Sequence, residues 1–335
     1  MKTDEYKQKL GKALLSLREQ RNLTQEKLIE LGEKFGICSL RQYNRIERGL
    51  CDTTPRILNA ILQTFSVSLD EVTRLIYGQE YLNFQNHFTS IWSLLYANKD
   101  KEAITLLEAL KNEAYYDSSK PVFAQAVKMC EGIITGKHHG KLNIALSTLV
   151  EALSLTCPAA IFIAKNSKHK QKINYEFLSE RIFSINEYRI LMAICITQHK
   201  LTQTTEAKNI LLAMRISLKK CNVEADIRNK ILPNVYFNLS NLLLDDDSNA
   251  IDYETALFYC EEGVEFCQHV KSYKTLGHLY CNMGRANYYI GNSHQTRKYF
   301  KMSHETFLLH GEVEIAEYIK AVIKNEYDVD VLENI

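Results

Sequence analysis

A chain of 335 residues with four prolines and thirteen glycines is seldom interrupted, and Leu, Ile, Lys, Glu, Asn and Tyr recur along it, so long helices are expected. That length accommodates two domains, or one small domain and a long array. The net charge of +1 excludes a basic coat over the whole surface. Residues 1–78 carry 13 Lys+Arg against 10 Asp+Glu and the remainder 28 against 30, a small tilt toward a nucleic-acid module at the N-terminal end.

The start, Met1-Lys2-Thr3-Asp4-Glu5-Tyr6, lacks the apolar core of a signal peptide. The most apolar run, Ala145–Ala164, is interrupted by Glu151 and Pro158 and cannot form a continuous membrane span. Nine cysteines show no Cys-x-x-Cys spacing. Cys195, Cys260 and Cys281 sit in apolar helical settings where the thiol acts as a small hydrophobe. A soluble protein of a reducing cytoplasm is the expectation, with no membrane contact.

In chain order, the first informative stretch is Leu23-Thr24-Gln25-Glu26-Lys27-Leu28, where Thr24 caps a helix and leaves Gln25 at its N-terminus. There, side chain and backbone N–H can both meet a phosphate. Next comes Leu40-Arg41-Gln42-Tyr43-Asn44-Arg45-Ile46-Glu47-Arg48-Gly49. Ser39 accepts hydrogen bonds from the first turn of this helix. Tyr43 and Ile46, three apart, pin it inward, and Gly49 supplies a left-handed stop. Leu40, Arg41, Gln42 and Arg45 then project outward. Arg and Gln carry the donors and acceptors that match guanine and adenine edges in the major groove. The candidate DNA contacts are Gln25, Ser39, Leu40, Arg41, Gln42, Arg45 and Arg48, with Arg41 and Arg45 reading bases and Gln25 and Arg48 touching backbone.

The alternative for this stretch is a surface helix with solvated arginines. Against it stand Pro55-x-x-Leu-x-x-Ile-Leu and Phe65-Ser66-Val67-Ser68-Leu69-Asp70-Glu71, which follow in an order that resembles a five-helix phage-repressor-type domain. Gln25 to Ser39 is about four residues longer than is usual in that type, so an extra turn must be taken up through Leu31–Gly36. The last helix is expected over Asp70–Tyr77, and Gly78 begins a short junction to a second domain over 79–335.

From there the pattern changes to helix pairs at intervals of roughly 35–45 residues. Pairs are expected at Tyr81–Asn98 with Lys101–Tyr115, Val122–Gly136 with Leu142–Thr156, and Ser179–His199 with Thr204–Cys221. Two more follow at Ala225–Asp245 with Tyr253–Val270 and Thr275–Gly291 with Ser293–His310, and Val313–Tyr327 closes the array. The clearest unit runs from Tyr280 through Gly284, Gly291-Asn292 and Phe300 to Ser303, a spacing that resembles a tetratricopeptide repeat. Tyr236, Leu239, Ser240, Ala256 and Gly263 echo it one repeat earlier. Each pair buries its face only by stacking on the next, which predicts an all-α fold: a five-helix helix-turn-helix domain followed by a right-handed tetratricopeptide-like α-solenoid with a concave inner surface.

The first helix of each pair lines that surface. Counting within the repeat places Asn238 and Asn282 at equivalent inner positions, and Asn241 and Arg285 one turn on. Phe237, His278, Tyr288 and, from the third repeat, Arg189 face the same groove. A carboxamide offers donors and an acceptor to an extended backbone, and arginine offers a fork to a carboxylate. These eight residues are the candidate peptide site; the alternative is that the asparagines satisfy internal polar contacts.

Other features read as blank. His138-His139 has no third ligand nearby in sequence, Asp245-Asp246-Asp247 reads as a solvated turn, and Lys165–Lys172 as a basic linker. No phosphate-cradling Gly loop and no Ser/His/Asp or Cys/His constellation appears. Neither an enzyme activity, a catalytic residue, a cofactor nor a metal site is expected.

A repressor-type helix-turn-helix joined to five such repeats resembles the Rgg/PlcR group of peptide-pheromone receptors of Gram-positive bacteria. The likeness is sharpest at Arg45-Ile-Glu-Arg-Gly49, Leu58-x-x-Ile-Leu, Val67–Glu71, Tyr236–Leu243 and Leu279–Gly291. The resemblance implies a quorum-sensing transcription regulator whose array binds a short linear peptide and forms a homodimer, with inner asparagines such as Asn238 clamping the peptide backbone. It implies double-stranded DNA with an inverted-repeat operator as the second partner. Two alternatives remain: a constitutive or phage-type repressor whose array only dimerises, and a tetratricopeptide adaptor for a protein partner.

Overall fold

The computed structural model describes residues 3–138, 140–163, 171–245 and 252–331, and the chain divides into two compact units, residues 1–118 and 119–335. The described residues are mostly helical, with one two-stranded hairpin. None of their helices is long and apolar enough to cross a membrane.

Unit 1 holds α1 (Thr3–Gln20), α2 (Gln25–Gly32), α3 (Leu40–Glu47), α4 (Pro55–Phe65), α5 (Leu69–Tyr96) and α6 (Asp100–Lys111). Its helices start where side chains can accept from free N–H groups. Thr24 caps α2, Ser39 caps α3 and Thr54 caps α4 with Pro55 at its first turn. Ser68 and Glu71 form a reciprocal capping box on α5. Leu14, Leu28, Tyr43, Ile46, Ile61 and Val72, drawn from five helices, are fully buried together. Each such side chain contributes about 1.5–3 kcal/mol relative to exposure.

Gly78 has φ 72° and ψ −173°, so the helical path of α5 breaks there and resumes at once. The junction expected at Gly78 is thus a backbone break without a linker. The compact unit nevertheless runs on to Ser118, so the first expected helix pair packs in unit 1. Phe84 and Phe88, stacked at 6.2 Å, begin that pair's core.

Unit 2 holds α7 (Pro121–His138), α8 (Leu142–Ser154), β1 (Ile161–Ile163), β2 (Gln171–Ile173), α9 (Tyr175–Glu180), α10 (Ile185–Lys200) and α11 (Thr204–Leu218). It continues with α12 (Ala225–Leu244), α13 (Tyr253–Val270), α14 (Tyr273–Ile290), α15 (Ser293–Leu309) and α16 (Val313–Tyr327). Within each pair the two helices pack on one another, and α7, α10, α12 and α14 also pack in succession, which makes one layer of first helices. A Cβ on Gly284 would overlap the Phe300 ring, and one on Gly263 would lie 2.8 Å from Tyr236. Glycine at these positions is what lets neighbouring helices approach so closely.

Between α8 and α10 the structure departs from the sequence expectation. The helix expected over Ser179–His199 is two helices, α9 and α10, parted at Arg181–Ser184, because Ser184 and Glu187 form a capping box that starts a new helix. Ahead of α9, Ile161–Ile163 pairs antiparallel with Gln171–Ile173, where a linker was expected over Lys165–Lys172. Of that linker only Gln171 and Lys172 lie among the described residues, as do His138 of the His138-His139 pair and Asp245 of the three aspartates.

Candidate functional site

The candidate face of unit 1 is built on α3. Tyr43 and Ile46 are buried to 0% and 1% exposure, which fixes the rotation of the helix and turns Arg41, Arg45 and Arg48 outward. Ser39 accepts from the Gln42 amide at 3.4 Å, Gln42 is half-buried, and Leu40 is exposed. Among the described residues, the guanidinium groups of Arg41, Arg45 and Arg48 form no hydrogen bond and no ion pair. Three such cations, two on one short helix and one at its C-terminal cap, make an anion-seeking surface.

Behind them lies a buried polar network that sequence reasoning missed. Glu47, 7% exposed, receives Arg18 Nε at 2.7 Å on Oε1 and Arg18 Nη2 at 3.3 Å on Oε2. The Tyr43 hydroxyl donates to Oε1 at 3.5 Å, and the Gln25 amide donates to Oε2. Asn44 donates to the Gln25 carbonyl oxygen at 3.0 Å. The hydrogen bond that Arg18 donates to Glu47 raises the Arg18 pKa against the opposing effect of burial. Burial, and then the Glu47 charge, push the Tyr43 phenol up as well. The network joins α1, α2 and α3 into one block. It also commits the Gln25 side chain inward, away from the phosphate contact expected of it.

Gly49 takes φ 67° after α3, the left-handed stop that was expected. A Cβ there would meet the backbone of Gln8 at 2.8 Å, and one on Gly11 would meet the Glu47 carbonyl at 2.5 Å. Both glycines seat α1 directly against the end of α3. The additional residues between α2 and α3 form a single 3-10 turn, Glu33–Phe35, closed by Gly36 at φ 74°.

In unit 2 the structure gathers part of the expected groove set and turns part of it inward. Asn282, 2% exposed, donates to Ser240 Oγ at 2.9 Å and accepts from Arg285 Nη1 at 3.2 Å. Arg285 Nη1 also donates to Asn241 Oδ1 at 2.8 Å, and its Nη2 pairs with Asp245. Burial works against the Arg285 charge, but Asp245 and then Tyr327 more than offset it, so its pKa is raised. Asp245 is therefore the partner of Arg285 and no mere solvated turn; Asp246 and Asp247 lie outside the described residues. Asn282 makes the internal polar contacts that were its alternative reading.

Asn238 is half-buried on α12, and its amide donates to the Asn234 carbonyl at 2.7 Å. His278 packs its ring between Phe237 at 5.1 Å and Phe307 at 4.9 Å. Burial, helped by the Lys274 charge and opposed by Glu312, lowers its pKa to about 4. Tyr288 is exposed and meets Tyr327 edge-on at 5.0 Å. Arg189, on α10, donates to Asn186 at 3.2 Å; burial lowers its pKa, with Cys130 and Asp226 opposing. Among the described residues no group of three or more His, Cys, Asp or Glu is placed to hold a metal ion.

The architecture is thus a helix-turn-helix domain with an array of stacked helix pairs. The helix-turn-helix family model matches residues 14–72. No curated protein matches the chain by sequence. Among solved structures, PlcR of Bacillus thuringiensis in complex with the peptide PapR7 and DNA is similar, with TM-score 0.70 and 16% identity over 93% of this chain and 99% of that one. The SHP pheromone receptor Rgg2 of Streptococcus dysgalactiae gives TM-score 0.56 and 13% identity over 95% and 99%. ComR of S. thermophilus, in complex with DNA and its signalling peptide ComS, gives 0.56 and 14% over 93% and 97%. The fold of these proteins extends over both units of this chain.

Proposed function

We propose that this protein is a sequence-specific transcription regulator of the cytoplasm, a DNA-binding homodimer controlled by a short linear peptide held on the first-helix layer of unit 2. It is not an enzyme. The observation that carries the reading is the exposed triad Arg41, Arg45 and Arg48, without an ion pair among the described residues, on and just after a helix whose rotation is locked by Tyr43, Ile46 and Glu47. The whole-chain likeness to PlcR and ComR, each captured with DNA and a peptide, supports it.

Arg41 and Arg45 read base edges through forked donors, and Arg48 and the α2 N-terminus touch phosphates. A twofold dimer presents two such helices to an inverted repeat, about 34 Å or a multiple apart. In unit 2, Asn238 clamps the peptide backbone, with Phe237, His278, Tyr288 and Arg189 around it. Asn241, Asn282 and Arg285 form the polar floor beneath. Peptide binding that swings the regulator from mostly off to mostly on must favour one state by about 5.5 kcal/mol, within reach of several backbone hydrogen bonds plus side-chain burial.

A second reading, a constitutive regulator whose array only dimerises, is favoured by one observation: Arg285 is already neutralised by Asp245. Selecting duplexes from a random pool with the full chain, with and without peptides secreted by the host, tests both. Peptide-dependent enrichment of an inverted repeat supports control by peptide. Enrichment indifferent to peptide supports the constitutive regulator, and no enrichment at all removes the DNA reading.

A further inference from the structure

The turn that lengthens the path from α2 to α3 carries charge as well as spacing. Lys34 and Phe35 are exposed on it, and the Lys34 ammonium lies 4.8 Å from the centroid of the Phe35 ring. That contact holds a flexible side chain over a fixed surface. From the first turn of α4, Arg56 reaches back to the same place: its Nη2 is 3.6 Å from where a Cβ on Gly36 would sit. Among the described residues neither Lys34 nor Arg56 has a carboxylate partner, although Glu33 stands exposed on the same turn. Gly36 precedes Ser39, the cap of α3, by three residues, a reach of at most about 10 Å. Arg56 therefore stands near the N-terminal end of the helix that carries Arg41 and Arg45, with Lys34 two residues before Gly36 on the adjoining turn.

We propose that Lys34 and Arg56 form a second phosphate grip, which holds the DNA sugar-phosphate backbone beside the bases that α3 reads. The proposal rests on the reading of α3 as a DNA-reading helix. Arg56 offers a fork to phosphate oxygens and Lys34 a point charge. Contacts of this kind set register and add affinity without adding base preference. Each neutralised phosphate steepens the log–log salt dependence of binding by about 0.9. The inserted turn thus widens the footprint of each half-site and leaves its base code unchanged.

The test uses the full chain and its Lys34→Gln/Arg56→Gln variant on two duplexes, one selected by the wild-type chain and one of unrelated sequence. Affinities are read by fluorescence anisotropy between about 50 and 200 mM salt. Circular dichroism checks the fold, which substitution of two exposed side chains leaves intact. The expected result is a salt slope shallower by about 1.8 per bound half-site on both duplexes, with the affinity ratio between them unchanged. An unchanged slope overturns the proposal, as does a changed ratio at constant slope. A variant that binds DNA normally yet loses transcriptional output puts a protein partner on this turn, and also overturns it. A wild-type chain that binds neither duplex, with or without host-secreted peptide, overturns the DNA reading itself, a different failure from that of the grip.

Discussion

Arg18 on α1 and Glu47 at the end of α3 are joined by two hydrogen bonds, at 2.7 and 3.3 Å, across 29 positions of sequence. The guanidinium and carboxylate side chains are only 15% and 4% exposed. Removing one member of such a pair strands the other in poorly solvated surroundings. Glu47→Gln should therefore destabilise the protein by on the order of 3 kcal/mol, read as a fall in the urea midpoint. The double change Arg18→Met/Glu47→Leu should recover most of that loss, because neither partner is then left charged and buried. If the double variant is as unstable as Glu47→Gln, the pair does not act as the unit described.

Arg45 on α3 and Arg48 at its C-terminal cap are both exposed, and the proposed function gives them different tasks. Arg45→Ala should cost about 1–3 kcal/mol and relax preference at one base position per half-site. Arg48→Ala should weaken binding to selected and unrelated duplexes by a similar factor. Anisotropy on a panel of single-base variants, at fixed salt, separates the two. Equal loss on every duplex for Arg45→Ala would show that it touches only backbone.

The two asparagines expected to be equivalent differ in their surroundings. Asn282 is buried between Ser240 and Arg285, so Asn282→Ala should lower stability by about 1–3 kcal/mol through the partners it abandons. Asn238 is half-buried and spends its amide on its own helix. Asn238→Ala should leave the urea midpoint nearly unchanged and weaken peptide binding by about tenfold or more. Calorimetry and denaturation on both variants check the split, and a reversed pattern would exchange the two roles.

His278 titrates near 4 in the folded chain, well below an ordinary histidine. The unfolded chain binds its proton first on acidification, so stability from this group is complete above about pH 6.5 and is lost progressively as pH falls toward 4. The full loss is about 3 kcal/mol. His278→Phe should flatten this part of the stability profile between about pH 6.5 and 4. Urea midpoints across that range measure it; an unaltered slope in the variant would place the titration on another group.

Much of the fold is legible in the residues because it follows from local rules. Caps at Thr24, Ser39 and Ser68, the left-handed glycines Gly49 and Gly291, and the Gly284–Phe300 spacing each announce a helix end or a close crossing. What is not legible depends on partners far apart in sequence. Nothing near Glu47 points to Arg18, and nothing near Arg285 distinguishes Asp245 from its neighbours in an acidic run. The inner register of Asn282 and Arg285 is readable from the repeat, but whether such a side chain faces a groove or a buried carboxylate is decided by the adjacent helix. The hairpin at Ile161–Ile163 and Gln171–Ile173 escaped because three-residue strands carry too little alternation to be seen. The break before α10 was visible in Ser184-x-x-Glu187, a capping-box spacing.

The central claim is that a peptide on unit 2 governs DNA binding through α3. The most direct measurement is the affinity of the full chain for its selected duplex as host-secreted peptide is titrated in, repeated with Asn238→Ala. Peptide should change wild-type affinity at least about tenfold, a difference of about 1.4 kcal/mol between states. Asn238→Ala should bind DNA as the wild type does without peptide, and should respond only at peptide concentrations about tenfold or more higher. Affinity that is the same at every peptide concentration, in both proteins, would contradict the central claim and leave a constitutive regulator.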